Sequence, residues 1–364
     1  MANQKNSRAS KKNFFINLAF EQAKINLGST SLNPSVGCVI EKKGSIISSG
    51  VTSLNGRPHA EFNALKNKKN FLESNLYVSL EPCSHYGKTP PCTTLIKKKK
   101  ISKVFYSIND YDNRSKNKAK KILNKNKINF YKVPLTKNNK DFYKSYFLQH
   151  NSKYPLVDAK IAVSNDYFTK SKKEKWITNE YSRKRTHYLR SIYSCVLSTY
   201  KTINDDNSMF NCRIEGLEKK SPDLFIIDRF LKLKKNLKLI NANNKRKIFI
   251  FTTVSKSRKA NYFKKKGINL IMLKKLEEKI DFKLLLEKIK KIGYSRVFLE
   301  TGVTSLSLFL KFNLLNELYV FKSDKNLGNN GLVYFKLSHL KRKLKKINVN
   351  LFNNKLYKIK FKNV

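Results

Sequence analysis

The chain has 364 residues, 40% of them hydrophobic and 12% aromatic, which is long enough for two cores and too apolar for a wholly disordered protein. Its 77 Lys and Arg against 25 Asp and Glu give a formal net charge of +52, but the lysines are spread along the whole length. That is the mark of compositional drift, not of the one-faced arginine cluster expected of a nucleic-acid reader, although the excess should steer anionic ligands inward.

An odd count of five cysteines argues against a disulfide framework. Residues 1–12 are polar and no apolar run approaches bilayer-spanning length, so a cytoplasmic protein is expected. Phe14, Phe15, Leu18, Ala19, Ala23 and Leu27 recur at helical spacing, with Gly28 as the stop signal. Residues 36–41 and 46–51 read as a hairpin around Lys42-Lys43-Gly44. His59 opens a helix expected to bury Phe62 and Leu65. Residues 75–80 form a strand delivering Glu81-Pro82-Cys83 to a sheet edge, and Cys92 opens the next helix through Leu95 and Ile96. A strand at 103–108, a lysine-rich helix near 116–123 and a strand at 128–133 finish the unit.

Residues 137–154 read as a connector, which sets the domains at 1–150 and 151–364. Beyond it, strands are expected at 156–163, 195–198, 223–227, 247–253, 268–273, 296–299 and 317–323, with further strands in 345–361. Helices at 179–192 and 281–291 alternate with them, which argues for an α/β sheet covered on both faces. The lysine blocks at 97–100 and 341–346 read as solvated faces.

Chemistry concentrates in the first half. His59, Cys83 and Cys92 supply one imidazole and two thiolates, and Glu61 adds a carboxylate outside that ligand set. Zinc held by three such ligands keeps a fourth position for water and lowers its pKa toward neutrality. Glu61, two residues past the histidine, would carry the proton from that water to a departing amine. Nucleobase deaminases divide the work this way, with H-x-E followed by P-C-x-x-C. Here the cysteines lie nine positions apart, so the chemistry matches and the spacing does not. Ligands at two helix starts suit an anionic site, because a helix N-terminus favours negative charge. Cys38, Cys195 and Cys212 sit among apolar neighbours and are expected to be packing residues.

Three blocks occur in order: Asn33-Pro34-Ser35-Val36-Gly37-Cys38-Val39-Ile40, Gly56-Arg57-Pro58-His59-Ala60-Glu61, and Glu81-Pro82-Cys83-Ser84-His85 through Thr89-Pro90-Pro91-Cys92. They resemble the deaminase half of the bifunctional riboflavin-biosynthesis deaminase–reductase family. The second half contains no G-x-G-x-x-G, so the usual dinucleotide fingerprint is absent. Its blocks Lys160-Ile161-Ala162-Val163-Ser164-Asn165-Asp166, Trp176-Ile177-Thr178 and His187-Tyr188-Leu189-Arg190 nevertheless follow the order of that family's reductase domain. So do Thr202-Ile203-Asn204-Asp205-Asp206-Asn207 with Arg213, Ile227-Asp228-Arg229-Phe230-Leu231, and Phe298-Leu299-Glu300-Thr301-Gly302, and the resemblance covers about residues 13 to 330.

The resemblance implies a cytidine-deaminase-like α/β/α domain followed by a dihydrofolate-reductase-like α/β domain. It implies zinc-dependent deamination of a diaminopyrimidinone carrying a phosphoribosylamino group, then NADPH reduction of the ribosyl chain. His59, Cys83 and Cys92 would bind zinc, Glu61 would be catalytic, and Asn33 and His85 would hold the pyrimidine. On its own, His85 reads equally as a solvent-exposed loop residue. Arg190 and Arg213 would anchor the phosphate through bidentate guanidinium contacts, with Phe210 and Glu300 also at the substrate. Ala162, Trp176, Thr202, Asp206 and the turn of Gly302, Val303, Thr304, Ser305 and Leu306 would line NADPH. Gly302 permits close backbone approach, and a helix starting near Thr304 offers free N–H groups to a phosphate. Taken singly, Trp176 reads equally as a core residue and Arg190 as a surface one.

The chain departs from the family pattern at Tyr167, where Gly is usual, at Glu174, where a small hydroxyl residue is usual, and at Ser208, where Pro is common. A carboxylate at 174 would repel a phosphate, so a shifted loop or altered binding is expected. The resemblance further implies a homo-oligomer, dimer or larger, acting on a phosphorylated pyrimidine, with no specific nucleic-acid or membrane partner. Two alternatives remain at this stage: a tRNA-type deaminase or RNA-binding protein, motivated by the charge, and a deaminase whose reductase half has decayed.

Overall fold

A computed structural model describes residues 2–67, 69–136, 139–242, 246–336 and 344–361. The chain divides into two compact units, Met1–Ser152 and Lys153–Val364. The first unit runs α1 (Ala2–Lys24), β1 (Gly37–Lys42), β2 (Ser45–Val51), α2 (Ala60–Leu65), β3 (Asn75–Leu80), α3 (Cys92–Lys98), β4 (Lys103–Ile108), α4 (Ala119–Lys125), β5 (Asn129–Lys132) and α5 (Lys144–Asn151). Its sheet has the order β2-β1-β3-β4-β5, with β1 antiparallel to both neighbours and β3, β4 and β5 parallel.

The helical spacing read from Phe15, Ala19 and Ala23 is the stripe that α1 buries against this sheet. Helix and strand approach so closely that a Cβ on Gly37 would lie 1.9 Å from the Ala19 carbonyl oxygen, so only glycine fits there. Phe62 differs from expectation: it is 46% exposed, while Ala60, Glu61, Ala64 and Leu65 are buried. A six-residue helix buries one narrow face, and this one is set by Glu61 and Leu65. The lysine-rich helix starts later than its composition suggests, at Ala119, because the buried Glu81 carboxylate accepts the N–H groups of Asn117 and Ala119. The expected connector holds α5, and Tyr143 just before it is buried with its hydroxyl on Ser79 Oγ and the Ser35 carbonyl. Residues 137 and 138 of that segment lie outside the described residues, as do 341–343 of the second lysine block.

The second unit runs β6 (Leu156–Val163), α6 (Glu180–Ser191), β7 (Cys195–Thr199), α7 (Tyr200–Asp206), β8 (Asp223–Ile227), α8 (Lys238–Asn241), β9 (Ile248–Thr252), α9 (Arg258–Lys265) and β10 (Asn269–Met272). It continues with α10 (Lys279–Ile292), β11 (Arg296–Glu300), α11 (Val303–Lys311), β12 (Glu317–Lys322), β13 (Lys345–Lys346) and β14 (Lys355–Lys360). The sheet order is β10-β9-β8-β7-β11-β6-β12-β14-β13, parallel from β10 through β12 and antiparallel at β14 and β13. Parallel strands are buried on both faces, which is why Ile248–Thr252 is an unbroken buried run. Two apolar clusters result, one around Val297, Leu299 and Phe309 and one around Val196, Ile226 and Phe263. The C-terminal ends of β6, β7, β8, β9 and β11 share one rim, the usual place for a ligand in an open α/β sheet.

Candidate zinc centre and reductase cleft

Two of the three signature blocks of the first unit bring the ligand residues together. His59 is the N-cap residue of α2, Cys92 is the first residue of α3, and Cys83 follows the end of β3. Their ligand atoms all lie within 4.8 Å of one another, with His59 Nδ1 3.5 Å from Cys83 Sγ and 3.4 Å from Cys92 Sγ. Zn–S and Zn–N bonds at a tetrahedral angle put N and S about 3.5 Å apart, so the donors fit a zinc ion. The Cys83 thiol is pulled down to about 4, first by the hydrogen bond from Cys92 and then by His59, so a thiolate is favoured there. Glu61 is 3% exposed, and burial followed by the Cys83 charge raises its carboxyl to about 7. A carboxyl poised near neutrality can both take and return a proton.

Asn33 and His85 are both fixed by neighbours that the sequence did not single out. Asn33 Nδ2 donates to the Gly56 carbonyl at 3.3 Å, and Gly56 holds φ +87°. His85 Nδ1 lies 2.7 Å from Ser115 Oγ, which also accepts the Ser84 N–H at 3.0 Å. The ring is therefore tethered through Nδ1, leaving Nε2 for another partner. Arg57 Nη1 donates to Thr89 Oγ1 at 2.5 Å, pinning the loop between the two cysteines. Of the remaining cysteines, Cys38 and Cys195 lie in the apolar cores, and Cys212 is buried beside Ser221.

In the second unit a buried ion cluster occupies the rim. Arg190 grips Glu300 with both ends of its fork, Nε to Oε1 at 2.5 Å and Nη2 to Oε2 at 2.9 Å. Lys160 Nζ stands 3.8 Å from Glu300 Oε2. Burial pushes the Glu300 carboxyl up, but Arg190, Lys160 and His187 together outweigh it and hold it below the ordinary carboxylate value. Burial lowers the Lys160 ammonium and raises the Asp206 carboxyl, and each group feels the other. Lys160 stands in a block quoted from the sequence without a role of its own; a lysine among the buried residues of a central strand was its signal.

The cofactor candidates gather at the same rim. Gly302 caps α11, and its N–H donates to Thr202 Oγ1 at 3.2 Å, joining the ends of β11 and β7. Val303, Thr304 and Ser305 form the first turn of that helix, whereas Leu306 is buried in the core with its N–H on the Gly302 carbonyl. Leu306 therefore supports the turn from behind. Ala162 is half-buried on β6. Trp176 is 52% exposed, flanked by Arg183 at 5.1 Å and Lys175 at 5.4 Å from its ring, so it is no core residue. Phe210 is buried with φ +51°, and its ring lies under the Arg190 guanidinium at 5.4 Å. Arg213 is exposed, with Nη1 3.3 Å from Asn211 Oδ1.

Both halves match known protein families. Residues 9–108 match the cytidine and deoxycytidylate deaminase zinc-binding region, and residues 155–358 match the RibD C-terminal domain. The chain belongs to the RibD family. It is 31% identical over 317 residues to the riboflavin biosynthesis protein RibD of Aquifex aeolicus, covering 86% of this chain and 87% of that one. With the RibD protein of Buchnera aphidicola it shares 30% identity over 332 residues, 87% of this chain and 88% of the relative. Among solved structures, a diaminohydroxyphosphoribosylaminopyrimidine deaminase/5-amino-6-(5-phosphoribosylamino)uracil reductase from Thermotoga maritima superposes with a TM-score of 0.82 at 26% identity, covering 97% and 99% of the two chains. The units are thus a cytidine-deaminase-like domain and a dihydrofolate-reductase-like RibD domain.

Two departures from the RibD pattern acquire a physical account. Tyr167 has φ +66°, the left-handed region in which glycine is the usual occupant, and its ring lies under Lys322 Nζ at 4.4 Å. Glu174 is neutralised by Lys325, whose Nζ is 2.7 Å from Oε2. The expected repulsion is therefore answered by a local cation. For Ser208, beyond its place after Asn207 at φ +46°, nothing in the structure explains the residue.

Proposed function

We propose that this RibD-family chain performs two successive steps of riboflavin biosynthesis. The first removes ammonia from diaminohydroxyphosphoribosylaminopyrimidine; the second reduces the ribosyl chain of the product to a ribityl chain with NADPH. One observation carries the reading: three ligand atoms spaced for a tetrahedral ion beside the buried Glu61 carboxyl.

His59 Nδ1, Cys83 and Cys92 would hold zinc, which when bound supplies a water of lowered pKa. Glu61 would take the proton from that water and return it to the departing amine. Asn33 and His85, fixed by Gly56 and Ser115, hold the pyrimidine. The cleft of the second unit would hold NADPH, which when bound supplies hydride for the open-chain aldehyde. Val303 and Thr304, in the first turn of α11, would offer their N–H groups to a phosphate, with Trp176, Asp206, Ala162 and Thr202 around the cofactor, while the Gly302 N–H stays on Thr202 Oγ1 and fixes that turn. Lys160, whose ammonium burial lowers while Glu300 and Asp206 support it, would in its protonated form give the carbonyl oxygen the proton that must accompany the hydride. Arg213 meets the substrate phosphate, and Arg190, already clasped by Glu300 above the Phe210 ring, backs it with positive field.

The homo-oligomer and the cytoplasmic setting belong to this reading on the family resemblance; among the described residues no helix is long and apolar enough to cross a membrane. The test is a paired assay of ammonia release and NADPH consumption on the purified chain. Glu61→Gln should abolish the first and spare NADPH oxidation on the deaminated intermediate. Undiminished ammonia release by that variant would remove Glu61 from its role.

A further inference from the structure

A half-buried cation holds the loop that carries Phe210 and Arg213. Arg246, just before β9, donates from Nη1 to the carbonyls of Phe210 at 3.0 Å and Pro222 at 3.2 Å, and from Nη2 to the carbonyl of Met209. The loop needs such fixing, because Asn207 and Phe210 both have positive φ, 46° and 51°. Its other ties are Asn207 Oδ1, which accepts the Lys238 N–H at 2.9 Å, and the Cys212 N–H, which donates to Ser221 Oγ at 3.0 Å.

The next carbonyl in the row, that of Asn211, is used from the opposite side. It accepts Arg190 Nη1 at 3.0 Å and lies 2.9 Å from His187 Nδ1. The carbonyls of residues 209 and 210 thus face one guanidinium, and that of residue 211 faces another guanidinium and an imidazole. A shift of the first pair would be passed along the backbone to the third, and with it to Arg190 and to Arg213 two residues on.

We propose that Arg246 is a positioning residue for the substrate-phosphate end of the reductase cleft, acting through the carbonyls of Met209 and Phe210 on Asn211, Arg190 and Arg213. The inference rests on the proposed assignment of Arg213 to the phosphate, with Arg190 behind it. Arginine suits the task because one planar fork satisfies three carbonyls in two directions, which an ammonium on a single stem cannot do. Burial and then Arg190 lower the Arg246 guanidinium to about 10, while Asp223 opposes them.

The experiment compares full-length Arg246→Lys and Arg246→Met with the parent in the reductase half-reaction at saturating NADPH. Two substrates are used: the deaminated phosphoribosylamino pyrimidine and its dephosphorylated analogue. Arg246→Met should raise KM for the phosphorylated substrate about tenfold with kcat within about twofold, and leave KM for the analogue unchanged. Inhibition by inorganic phosphate should weaken in parallel. Arg246→Lys, which keeps the charge, should fall between the two. NADPH affinity, read by quenching of Trp176 fluorescence, and ammonia release should hold, which separates positioning from unfolding. An unchanged KM, an equal loss on both substrates, or a loss confined to kcat in either variant overturns the inference. A parent enzyme that shows no preference for the phosphorylated substrate overturns the phosphate assignment itself; a parent preference retained in Arg246→Met overturns only the role of Arg246.

Discussion

Gly56 lies directly against the Asn33 side chain: a Cβ built on Gly56 would stand 2.4 Å from Asn33 Nδ2 and 2.7 Å from its Cβ. The glycine is needed twice over, since its φ of +87° is one that other residues adopt at a cost of roughly 1–3 kcal/mol. Gly56→Ala should therefore push Asn33 away from the zinc centre. The expected result is a rise in KM for deamination of about tenfold or more, with NADPH oxidation on the deaminated intermediate unchanged. A variant with normal deaminase kinetics would show that Asn33 is not a substrate contact.

Cys83 joins the ligand set with its thiol already driven down to about 4, so its replacement removes a ready anionic donor. Cys83→Ser substitutes a hydroxyl that stays protonated and binds zinc weakly. Metal analysis should find the variant depleted of zinc, and ammonia release should fall by more than about a hundredfold. NADPH oxidation on the deaminated intermediate should persist, because the cleft residues lie in a separate compact unit. Zinc retained at one equivalent would contradict the assignment of this thiolate as a ligand.

The zinc centre was legible because its chemistry demands rare residue types, and His59, Glu61, Cys83 and Cys92 stand in short blocks with distinctive neighbours. The alternating strands and helices were legible because parallel strands such as Ile248–Thr252 bury both faces and read as plain apolar runs. The supports of the site were not. Gly56, Ser115 and Arg246 act through backbone carbonyls or one side-chain oxygen, and partners that distant leave no periodicity to read. Phe62 was misplaced because a helix as short as Ala60–Leu65 contains too few residues for its buried face to be inferred. At Arg190 the residue type suggested phosphate, whereas the structure commits most of its donors to Glu300 and Asn211.

Lys325 and Glu174 pair at 2.7 Å with both side chains about half exposed, so their contribution to stability is small. Their effect on an approaching phosphate is not. Lys325→Ala leaves a bare carboxylate where the family carries a small hydroxyl residue, and should raise KM for the phosphorylated reductase substrate about threefold to tenfold at low salt. Glu174→Ser in the same chain should restore it. Steady-state kinetics of the two single variants and the double variant check this; no rescue by the second change would mean that Glu174 does not face the substrate.

His187 supplies a pH dependence of known sign. Burial, then Arg190, lowers its imidazole to about 4 from an ordinary value near 6.5. Between those values the unfolded chain binds the proton and the folded chain resists it, so stability rises with pH across the window. The contribution is complete above about pH 6.5, declines as the pH falls, and is exhausted near pH 4. Partial solvation of the ring keeps its size to roughly 1–3 kcal/mol. Urea unfolding of the parent and of His187→Gln, compared at pH 7.5, 6, 5 and about 4.5, isolates this term from the carboxylates that both chains share. The difference in midpoint between the two should shift steadily in favour of His187→Gln as the pH is lowered. A difference that stays constant from pH 7.5 downward would show that the imidazole is protonated in the folded chain as readily as in the unfolded one, and that Arg190 does not press on it.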